Sequence, residues 1–181
     1  MNTSIIYQRT ALSHLYQNED TWVFKLPSHD DGIKIHKLIA SCPPLDENSS
    51  YCNFLQASHF NKTCILAEHK GEITGFIAAY LKPDANNELF IWQVAVLPTM
   101  RGKGLAFHML KELLMRKHVQ DVQVVEATIA KSNNSSWSLF KKLDKAHGEW
   151  GTISVFLDKQ QHFKNHHDTE FLYHIPLNNN K

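Results

Sequence analysis

Long apolar runs are missing from this chain of 181 residues. Its longest uninterrupted apolar stretch covers residues 76–81, far short of the roughly 20 residues that a membrane-spanning helix needs. The N-terminal sequence MNTSIIYQRT also lacks a basic segment followed by an apolar core, which is the pattern of a signal peptide. The sequence therefore predicts neither a membrane span nor a signal peptide.

A surplus of charge of one sign is missing as well. Lys and Arg total 19, Asp and Glu total 18, and the net charge is +1. Because proteins that bind the phosphate backbone usually carry a basic surplus, nucleic acid is not expected as the main partner. Cysteine is scarce, and Cys42, Cys52 and Cys64 are not spaced like a Cys-x-x-Cys site. We interpret them as reduced, buried thiols of a cytoplasmic protein.

The length fits one domain of ordinary globular composition. Residues 1–19 are polar with scattered apolar positions and are expected to be poorly ordered. Residues 178–181 form a purely polar tail. No linker rich in proline, glycine or serine interrupts the sequence between them, so residues 20–177 are predicted to form a single domain.

Strands and helices alternate along this domain. Apolar and β-branched runs predict strands at 21–26, 63–68, 73–81, 89–97, 122–125, 153–157 and 171–175, with a hairpin turn at Gly71. Helical periodicity predicts one helix capped by Asp30 or Asp31 and others starting at Asn48 or Ser49, near Leu105 and at Asn133. The second helix is expected to bury one face, made of Tyr51, Phe54, Leu55 and Ser58. Antiparallel hairpins come first and a βαβαβ stretch follows, so an α/β domain with a mixed, mostly antiparallel sheet is expected.

Two glycines follow the strand at 89–97 and open the next helix. Gly102 and Gly104 remove side chains where a backbone approaches a ligand closely or turns sharply. With Arg101 and Lys103 beside the free N–H groups of a helix start, this segment is interpreted as a pyrophosphate cradle. An ordinary strand-to-helix turn is the alternative. Neither the P-loop motif nor the Gly-x-Gly-x-x-Gly motif is present.

The cradle resembles the coenzyme A signature of the GNAT acetyltransferases, Gln/Arg-x-x-Gly-x-Gly/Ala, through Arg101-x-x-Gly104-x-Ala106. A second segment is similar to the family's next helix, Asn133-x-x-Ser136-x-x-Leu139-Phe140-x-Lys142. The resemblance implies the GNAT fold, acetyl-CoA as co-substrate and no metal. It implies these cofactor-binding residues: Val94, Val96, Arg101, Gly102, Lys103, Gly104, Leu105, Ala106, Asn133, Phe140 and Lys142. Many family members have a proton-donating Tyr where this chain has Phe140, which cannot donate a proton.

Three further blocks fall where the acetyl acceptor should bind. They start at Pro43, Phe90 and Glu170, and they are similar to the branch of the family that acetylates the N4 amine of L-2,4-diaminobutyrate in ectoine biosynthesis, a route to an osmoprotectant. This similarity implies direct transfer to the amine without an acyl-enzyme. It also implies a homodimer, for which the C-terminal strands are the expected contact.

The acceptor-binding residues expected from these blocks are Asp46, Asn48, Ser49, Tyr51, Trp92, Gln93 and Glu170. Tyr51, Trp92 and Glu170 are the candidate catalytic residues. With Phe140 unable to act, Tyr51 is the candidate proton donor to the thiolate, and a core aromatic is its alternative. Asp46 and Glu170 are candidates to hold the α-ammonium. Asp46 as a helix cap and Glu170 as an exposed strand residue are the alternatives.

The general base stays open among Asp46, Glu68, Glu126, Glu170, His59 and a water chain. For the histidine-rich stretch of His162, His166, His167 and Asp168, a solvated polar loop is preferred over a zinc site. Two other functions also stay open. One is acetylation of another amine, such as a polyamine or a protein N-terminus, and the other is a catalytically silent acyl-CoA sensor, which only Phe140 favours.

Overall fold

Seven strands form one mixed sheet in the computed structural model, which describes residues 22–178. The sheet order is β1-β2-β3-β4-β5-β7-β6. The strands are β1 (Val23–Lys25), β2 (Ile65–His69), β3 (Glu72–Lys82), β4 (Ala85–Val96), β5 (Val124–Ala130), β6 (Thr152–Leu157) and β7 (Glu170–Pro176). The expectation for residues 1–19, and that for the tail beyond residue 178, lie outside the described residues.

Only β4 and β5 pair in parallel; the other neighbouring strands are antiparallel. The predicted mixed, mostly antiparallel sheet is therefore confirmed. The predicted βαβαβ stretch is present, since β4, β5 and β6 alternate with α3 and α4 along the chain and run parallel, but β7 inserts between β5 and β6 and runs antiparallel to both. The predicted strand at 21–26 is shorter, since the described strand covers Val23–Lys25.

Four α-helices occur within residues 22–178: α1 (Gly32–Ala40), α2 (Ser50–Ser58), α3 (Leu105–Leu114) and α4 (Asn134–Ala146). Asp31 is the N-cap of α1, as predicted. The Ser49 hydroxyl accepts a hydrogen bond from the Cys52 N–H at 3.2 Å and caps α2. The Asn133 carboxamide accepts one from the Ser136 N–H at 3.1 Å and caps α4. The three helix starts are confirmed, and the side chains of Ser49 and Asn133 each satisfy a free N–H group of their helix.

The helices cover the two faces of the sheet. Helices α3 and α4 pack against a large core that includes Ile77, Leu89, Ile91 and Ile129. Helix α1 and Ala57 of α2 pack on the opposite face, against Leu66, Phe76, Ala78 and Ala95. Both layers are held by apolar side chains that alternate along the strands.

The buried face of α2 differs from the prediction. The buried residues are Asn53, Gln56 and Ala57, whereas Tyr51 is 70% exposed. Asn53 donates to the Gln56 side chain at 3.0 Å and lies 3.1 Å from the His36 ring nitrogen. Because these amides bond to one another, polar side chains fill the face where apolar periodicity predicts aromatic ones.

The cysteines are unpaired, and Cys42 and Cys64 are buried. Cys52 is only half-buried, so the prediction of buried thiols is wrong for that residue. Burial raises the pKa of the Cys64 thiol to about 12, which keeps it protonated and unreactive at neutral pH. None of the helices between residues 22 and 178 has the length and apolar character to cross a membrane.

Candidate functional site

A β-bulge at Trp92 interrupts the pairing of β3 and β4. Ala78 pairs with Gln93 and Ala79 with Ile91, which leaves Trp92 as the extra residue. A bulge reverses the side-chain alternation of its strand. Ile91 faces the core under α3 and α4 before the bulge, and Val94 packs against that same core after it.

Strands β4 and β5 separate just beyond this bulge. Their pairing ends at Ile91 and Ala127, yet β4 continues to Val96 and β5 continues along β7 to Ala130. Within residues 22–178, the outer edge of β4 from residue 92 to residue 96 therefore has no strand partner. An extended ligand with amide groups can add to such an edge as a further strand, which suits the predicted contacts at Val94 and Val96.

The Val96 carbonyl at the end of this edge already has two donors. The Arg101 Nε lies 3.1 Å from it and the Cys42 thiol 3.3 Å. Arg101 thus folds back onto β4 and ties the cradle to the strand.

The glycine cradle adopts a backbone that suits a bound anion. Gly102 has φ 75° and Gly104, the N-cap of α3, has φ 84°, both in the left-handed region. A Cβ on Gly102 would meet nothing within 4 Å, and one on Gly104 would meet only the His108 ring at 3.5 Å. The glycines are therefore required by the backbone conformation rather than by crowding.

The open N-terminus of α3 completes the cradle. No side chain caps its first N–H groups, so they can donate to a phosphate oxygen. Arg101 and Lys103 are exposed beside them, whereas Leu105 is buried and Ala106 half-buried, so the last two offer backbone rather than side chains. Two left-handed glycines among three residues favour the cradle over an ordinary turn.

His108 is a cradle residue that the sequence analysis missed. Its Nδ1 lies 2.9 Å from the Gly104 carbonyl, and its ring lies 5.6 Å from the Trp22 ring, centroid to centroid. The signal was its position four residues after Gly104 on a helix, where side chains reach back one turn.

The predicted residues of α4 occupy different environments. The Asn133 side-chain oxygen caps the helix, and the Lys142 ammonium lies 4.3 Å from the centre of the Phe107 ring. Phe140 is 2% exposed and belongs to the core under α3 and α4. Its ring therefore packs against protein, and its predicted contact with the cofactor stays a prediction.

The acceptor residues before α2 are tied to β4 through Gln93, which is 9% exposed. The Gln93 Nε2 donates to the Asp46 carbonyl at 2.9 Å, and its Oε1 accepts from the Asn48 Nδ2 at 3.1 Å. Ser49 is the cap of α2, so the alternative of Asp46 as that cap is wrong. Tyr51 lies in the first turn of α2 and is 70% exposed, so the core alternative for Tyr51 is wrong as well.

Glu170, at the start of β7, lies close to Asp46. Burial raises the pKa of the Glu170 carboxyl, and the negative charges of Asp46 and Asp168 raise it further against the opposing effect of His167. Its side chain is 17% exposed, which excludes the alternative of an exposed strand residue. The structure thus brings together the two carboxylates predicted to hold an ammonium group.

His167 approaches this acidic pair. Its Nδ1 lies 3.8 Å from a Glu170 carboxylate oxygen. The sequence analysis weighed His167 only as a loop residue or a metal ligand. Within residues 22–178, no group of three or more His, Cys, Asp or Glu side chains is placed to hold a metal ion, and the His162 ring accepts a hydrogen bond from the Asp158 N–H at 2.7 Å.

The other candidate bases have different surroundings. Glu68 is paired with Lys25. His59, just after α2, lines a surface cavity of about 300 Å³ with Lys62, Tyr80 and His118. Trp92 lines a neighbouring cavity of about 410 Å³ together with Phe60, Tyr80, Pro83 and Phe90.

Glu126 is held in a buried ion-pair cluster. Its carboxylate lies 2.9 Å from the Lys82 ammonium and 2.9 Å from the His174 ring, and its side chain is 5% exposed. Burial alone would raise the pKa of this carboxyl, but the hydrogen bonds and charges of His174 and Lys82 outweigh burial and lower it. Glu126 therefore serves as a structural ion-pair partner rather than as a base. Asp46 and Glu170, whose charges interact, remain candidates for the general base.

The two buried carboxylates predict opposite effects on stability. Glu170→Gln should raise the melting temperature of the ligand-free protein at about pH 8, because the raised pKa of Glu170 means that its charge destabilises the folded state above that pKa. Glu126→Gln should lower the melting temperature, because a lowered pKa means that the charge stabilises the folded state above the unfolded pKa.

Thermal unfolding at about pH 8 and about pH 4 measures both effects. The Glu170 effect should shrink at the lower pH because that carboxyl becomes protonated in the folded state. The Glu126 effect should also shrink there, because the pH is then below the pKa of the unfolded carboxyl. Shifts of the same sign in the two variants at about pH 8 would contradict these assignments.

Sequence comparison connects this site to known enzymes. Residues 33–144 match the model of the acetyltransferase (GNAT) family. A protein named L-2,4-diaminobutyric acid acetyltransferase from Vibrio parahaemolyticus is 62% identical over 156 residues, which cover 86% of this chain and 86% of that protein. One of the same name from Vibrio cholerae is 58% identical over 156 residues, which cover 86% of this chain and 90% of that protein.

Comparison with solved structures also finds acetyltransferases. The diaminobutyrate acetyltransferase from Paenibacillus lautus, in complex with its substrate L-2,4-diaminobutyric acid and coenzyme A, matches with a TM-score of 0.82 and 34% identity, covering 89% of this chain and 98% of that chain. The ribosomal-protein-S18-alanine N-acetyltransferase from Escherichia coli matches with a TM-score of 0.66 at 12% identity, covering 89% of this chain and 99% of that chain. The second likeness concerns the fold alone.

Proposed function

The chain belongs to the GNAT acetyltransferase family, and from that premise we propose that it moves the acetyl group of acetyl-CoA to the N4 amine of L-2,4-diaminobutyrate. The product is N4-acetyl-L-2,4-diaminobutyrate, the form that ectoine biosynthesis uses. The observation that carries the proposal is the 62% identity to the Vibrio parahaemolyticus diaminobutyrate acetyltransferase over 86% of this chain. The family resemblance inferred from the cradle residues is confirmed.

The acceptor side of the site suits an acceptor that carries a second ammonium group. Asp46 and Glu170 form an acidic pair beside the splayed end of β4, which suits the α-ammonium of a small diamino acid. A polyamine also carries several ammonium groups, so the choice of diaminobutyrate rests on the identity to the named relatives. The silent-sensor alternative depended on Phe140 alone, and the relatives at 58% and 62% identity are named as acetyltransferases.

The cofactor side holds the co-substrate through backbone groups. Acetyl-CoA supplies the acetyl group as a thioester. The N–H groups at Gly104 and at the start of α3 would hold the pyrophosphate, with Arg101 and Lys103 adding positive charge. The open edge of β4 at Val94 and Val96 would pair with the pantetheine amides. A β4 N–H directed at the thioester carbonyl would stabilise the developing negative charge.

The acceptor amine must lose a proton before it attacks, because its pKa is near ~10 in water. Glu170 suits this step, since burial and the Asp46 charge raise its pKa above that of an ordinary glutamate. A carboxylate has two oxygens, so one can hold the α-ammonium while the other takes the proton through a water. The nearby His167, at 3.8 Å, would pass the proton to solvent.

Tyr51→Phe should lower kcat by about 100-fold, the effect expected when a general acid is lost. Tyr51 is the proton donor to the departing thiolate, and its ring is 70% exposed, so removing the hydroxyl should not change stability. The KM for acetyl-CoA should stay within twofold of wild type. Steady-state kinetics and thermal unfolding measure these quantities.

Tyr80→Phe is the matched control, because it removes another tyrosine hydroxyl from the same side of the sheet, beside Trp92. The control should keep the wild-type kcat. An unchanged kcat in Tyr51→Phe would remove Tyr51 from the mechanism.

A panel of amines tests the proposed function. Thiol release from acetyl-CoA is followed with L-2,4-diaminobutyrate, spermidine and a peptide with a free N-terminus. Turnover of diaminobutyrate with the highest kcat/KM supports the proposal. Preference for another amine, or acetyl-CoA binding without any turnover, would overturn it.

We also propose that the protein is a cytoplasmic homodimer. The unpaired Cys42, Cys52 and Cys64 suit a reducing compartment. Strand β6 lies at one edge of the sheet, and around it Trp150, Ile153, Val155 and Phe156 are 50–70% exposed. Exposed apolar side chains on an edge strand favour association.

Val155→Lys should therefore shift the protein from dimer to monomer in sedimentation velocity. Val23→Lys, at an exposed position of the opposite edge strand, is the control and should leave the dimer intact. A wild-type chain that sediments as a monomer would contradict the dimer.

A further inference from the structure

We propose that Gln93 and Asn48 are positioning residues that fix the acceptor loop, defined as residues 43–49, and that they thereby set the affinity and chain-length selectivity for the diamino acid. The selectivity part of this inference rests on the proposed function. The sequence analysis predicted that both side chains contact the substrate. In the structure they form a hydrogen bond with each other instead.

The Gln93 carboxamide is used at both of its ends. Its nitrogen donates to the Asp46 carbonyl at 2.9 Å, and its oxygen accepts from the Asn48 Nδ2 at 3.1 Å. Gln93 is 9% exposed, and a buried amide is stable only when its polar atoms are paired. Because both partners belong to the acceptor loop, the loop cannot move without leaving the Gln93 amide unpaired.

The bulge at Trp92 explains why Gln93 points at the loop. Ile91 faces the core under α3 and α4, and an unbroken strand would direct Gln93, two residues later, to that same face. The extra residue at Trp92 reverses the alternation. Gln93 therefore lies on the other face with Ala95, which packs against α1.

The loop carries groups that the acceptor needs. Asp46 lies within it, next to the amide bond that Gln93 holds, and Tyr51 follows it in the first turn of α2. Among the described residues, the hydrogen bonds that join residues 43–49 to the sheet both end on Gln93. Leu45 of the loop packs against the core beside α1, and the two hydrogen bonds to Gln93 add the polar contacts that fix where Asp46 lies relative to the open edge of β4.

Gln93→Met tests this inference, because methionine has a similar size and shape but makes neither hydrogen bond. Hydrogen–deuterium exchange of the ligand-free protein should show faster exchange in residues 44–53, by about tenfold. The KM for diaminobutyrate should rise about tenfold, with the KM for acetyl-CoA within twofold of wild type, since a loop held too loosely misplaces the acceptor. The preference for diaminobutyrate over ornithine should fall about fivefold.

Gln123→Met is the matched control. It removes another amide pair, in which the Asn87 Nδ2 donates to the Gln123 Oε1 at 3.2 Å, from the far end of β4. This variant should leave both KM values and the exchange of residues 44–53 unchanged. If Gln93→Met does not fold, Asn48→Ala removes one of the two bonds from the loop side and is measured in the same way.

Unchanged exchange in residues 44–53 would overturn the proposal, and so would a diaminobutyrate KM within twofold of wild type. An equal rise in the KM for acetyl-CoA would also overturn it, because that result indicates damage to β4 itself. Failure of the proposed function would be seen separately, because the wild-type protein would then not turn over diaminobutyrate. The exchange comparison still decides whether the two amides hold the loop.

Discussion

Gly104→Val should raise the KM for acetyl-CoA by about 100-fold. Gly104 has φ 84°, and a β-branched residue is a conformational outlier there. The space around its Cβ is open apart from His108, so the valine changes the backbone rather than creating a clash. When the turn relaxes, the N–H groups at the start of α3 turn away from the pyrophosphate, and hydrogen bonds to a charged group are worth about 1.5–3 kcal/mol.

Gly71→Val is the matched control for this variant. Gly71 also has a positive φ, 81°, and its Cβ would meet nothing within 4 Å. It lies in the turn between β2 and β3, outside the cradle. Both variants should lose stability in thermal unfolding, but only Gly104→Val should change the KM. A KM for acetyl-CoA within twofold of wild type would remove the cradle assignment.

Ornithine should be acetylated with a kcat/KM about 10–200-fold below that of diaminobutyrate. One methylene in a closely fitted pocket is worth ~1–3 kcal/mol. In the proposed pose Asp46 and Glu170 hold the α-ammonium, which sets the distance from that anchor to the thioester, and reacting atoms must approach to ~3–3.5 Å. Ornithine must bend or shift its anchor, and lysine should be a poorer substrate still.

The position of the acetyl group checks the same geometry. The product should carry it on N4, because in the proposed pose carboxylates hold the α-ammonium and keep it protonated. 4-Aminobutyrate, which has the carboxylate and the terminal amine but no α-ammonium, is the control and should be a poor substrate. NMR of the product locates the acetyl group. Equal turnover of ornithine and diaminobutyrate, or acetylation mainly at N2, would contradict this anchor.

The sequence predicts those parts of the site that depend on local chemistry. The caps at Ser49 and Asn133 follow from free N–H groups at the helix starts. The left-handed turn at Gly102 and Gly104 follows from the absence of a side chain. Both signals involve neighbours in the chain, so they can be read without knowing the fold.

The parts that sequence analysis missed depend on distant partners. The bulge at Trp92 leaves no clear local signal, because apart from Gln93 the residues around it are apolar on both faces of the strand. The polar face of α2 depends on the hydrogen bond from Asn53 to Gln56 within the helix and on the contact of Asn53 with His36 of α1. The insertion of β7 between β5 and β6 reflects pairing across the sheet, for which spacing along the chain gives no rule.

The splayed end of β4 has a thermodynamic consequence for the two substrates. The same five residues, 92–96, have the open edge proposed to bind the pantetheine arm and, through Gln93, hold the loop that carries Asp46. A ligand that orders this segment lowers the ordering cost left for the other ligand. Linkage then requires reciprocity: the factor by which acetyl-CoA raises the affinity for diaminobutyrate equals the factor by which diaminobutyrate raises the affinity for acetyl-CoA.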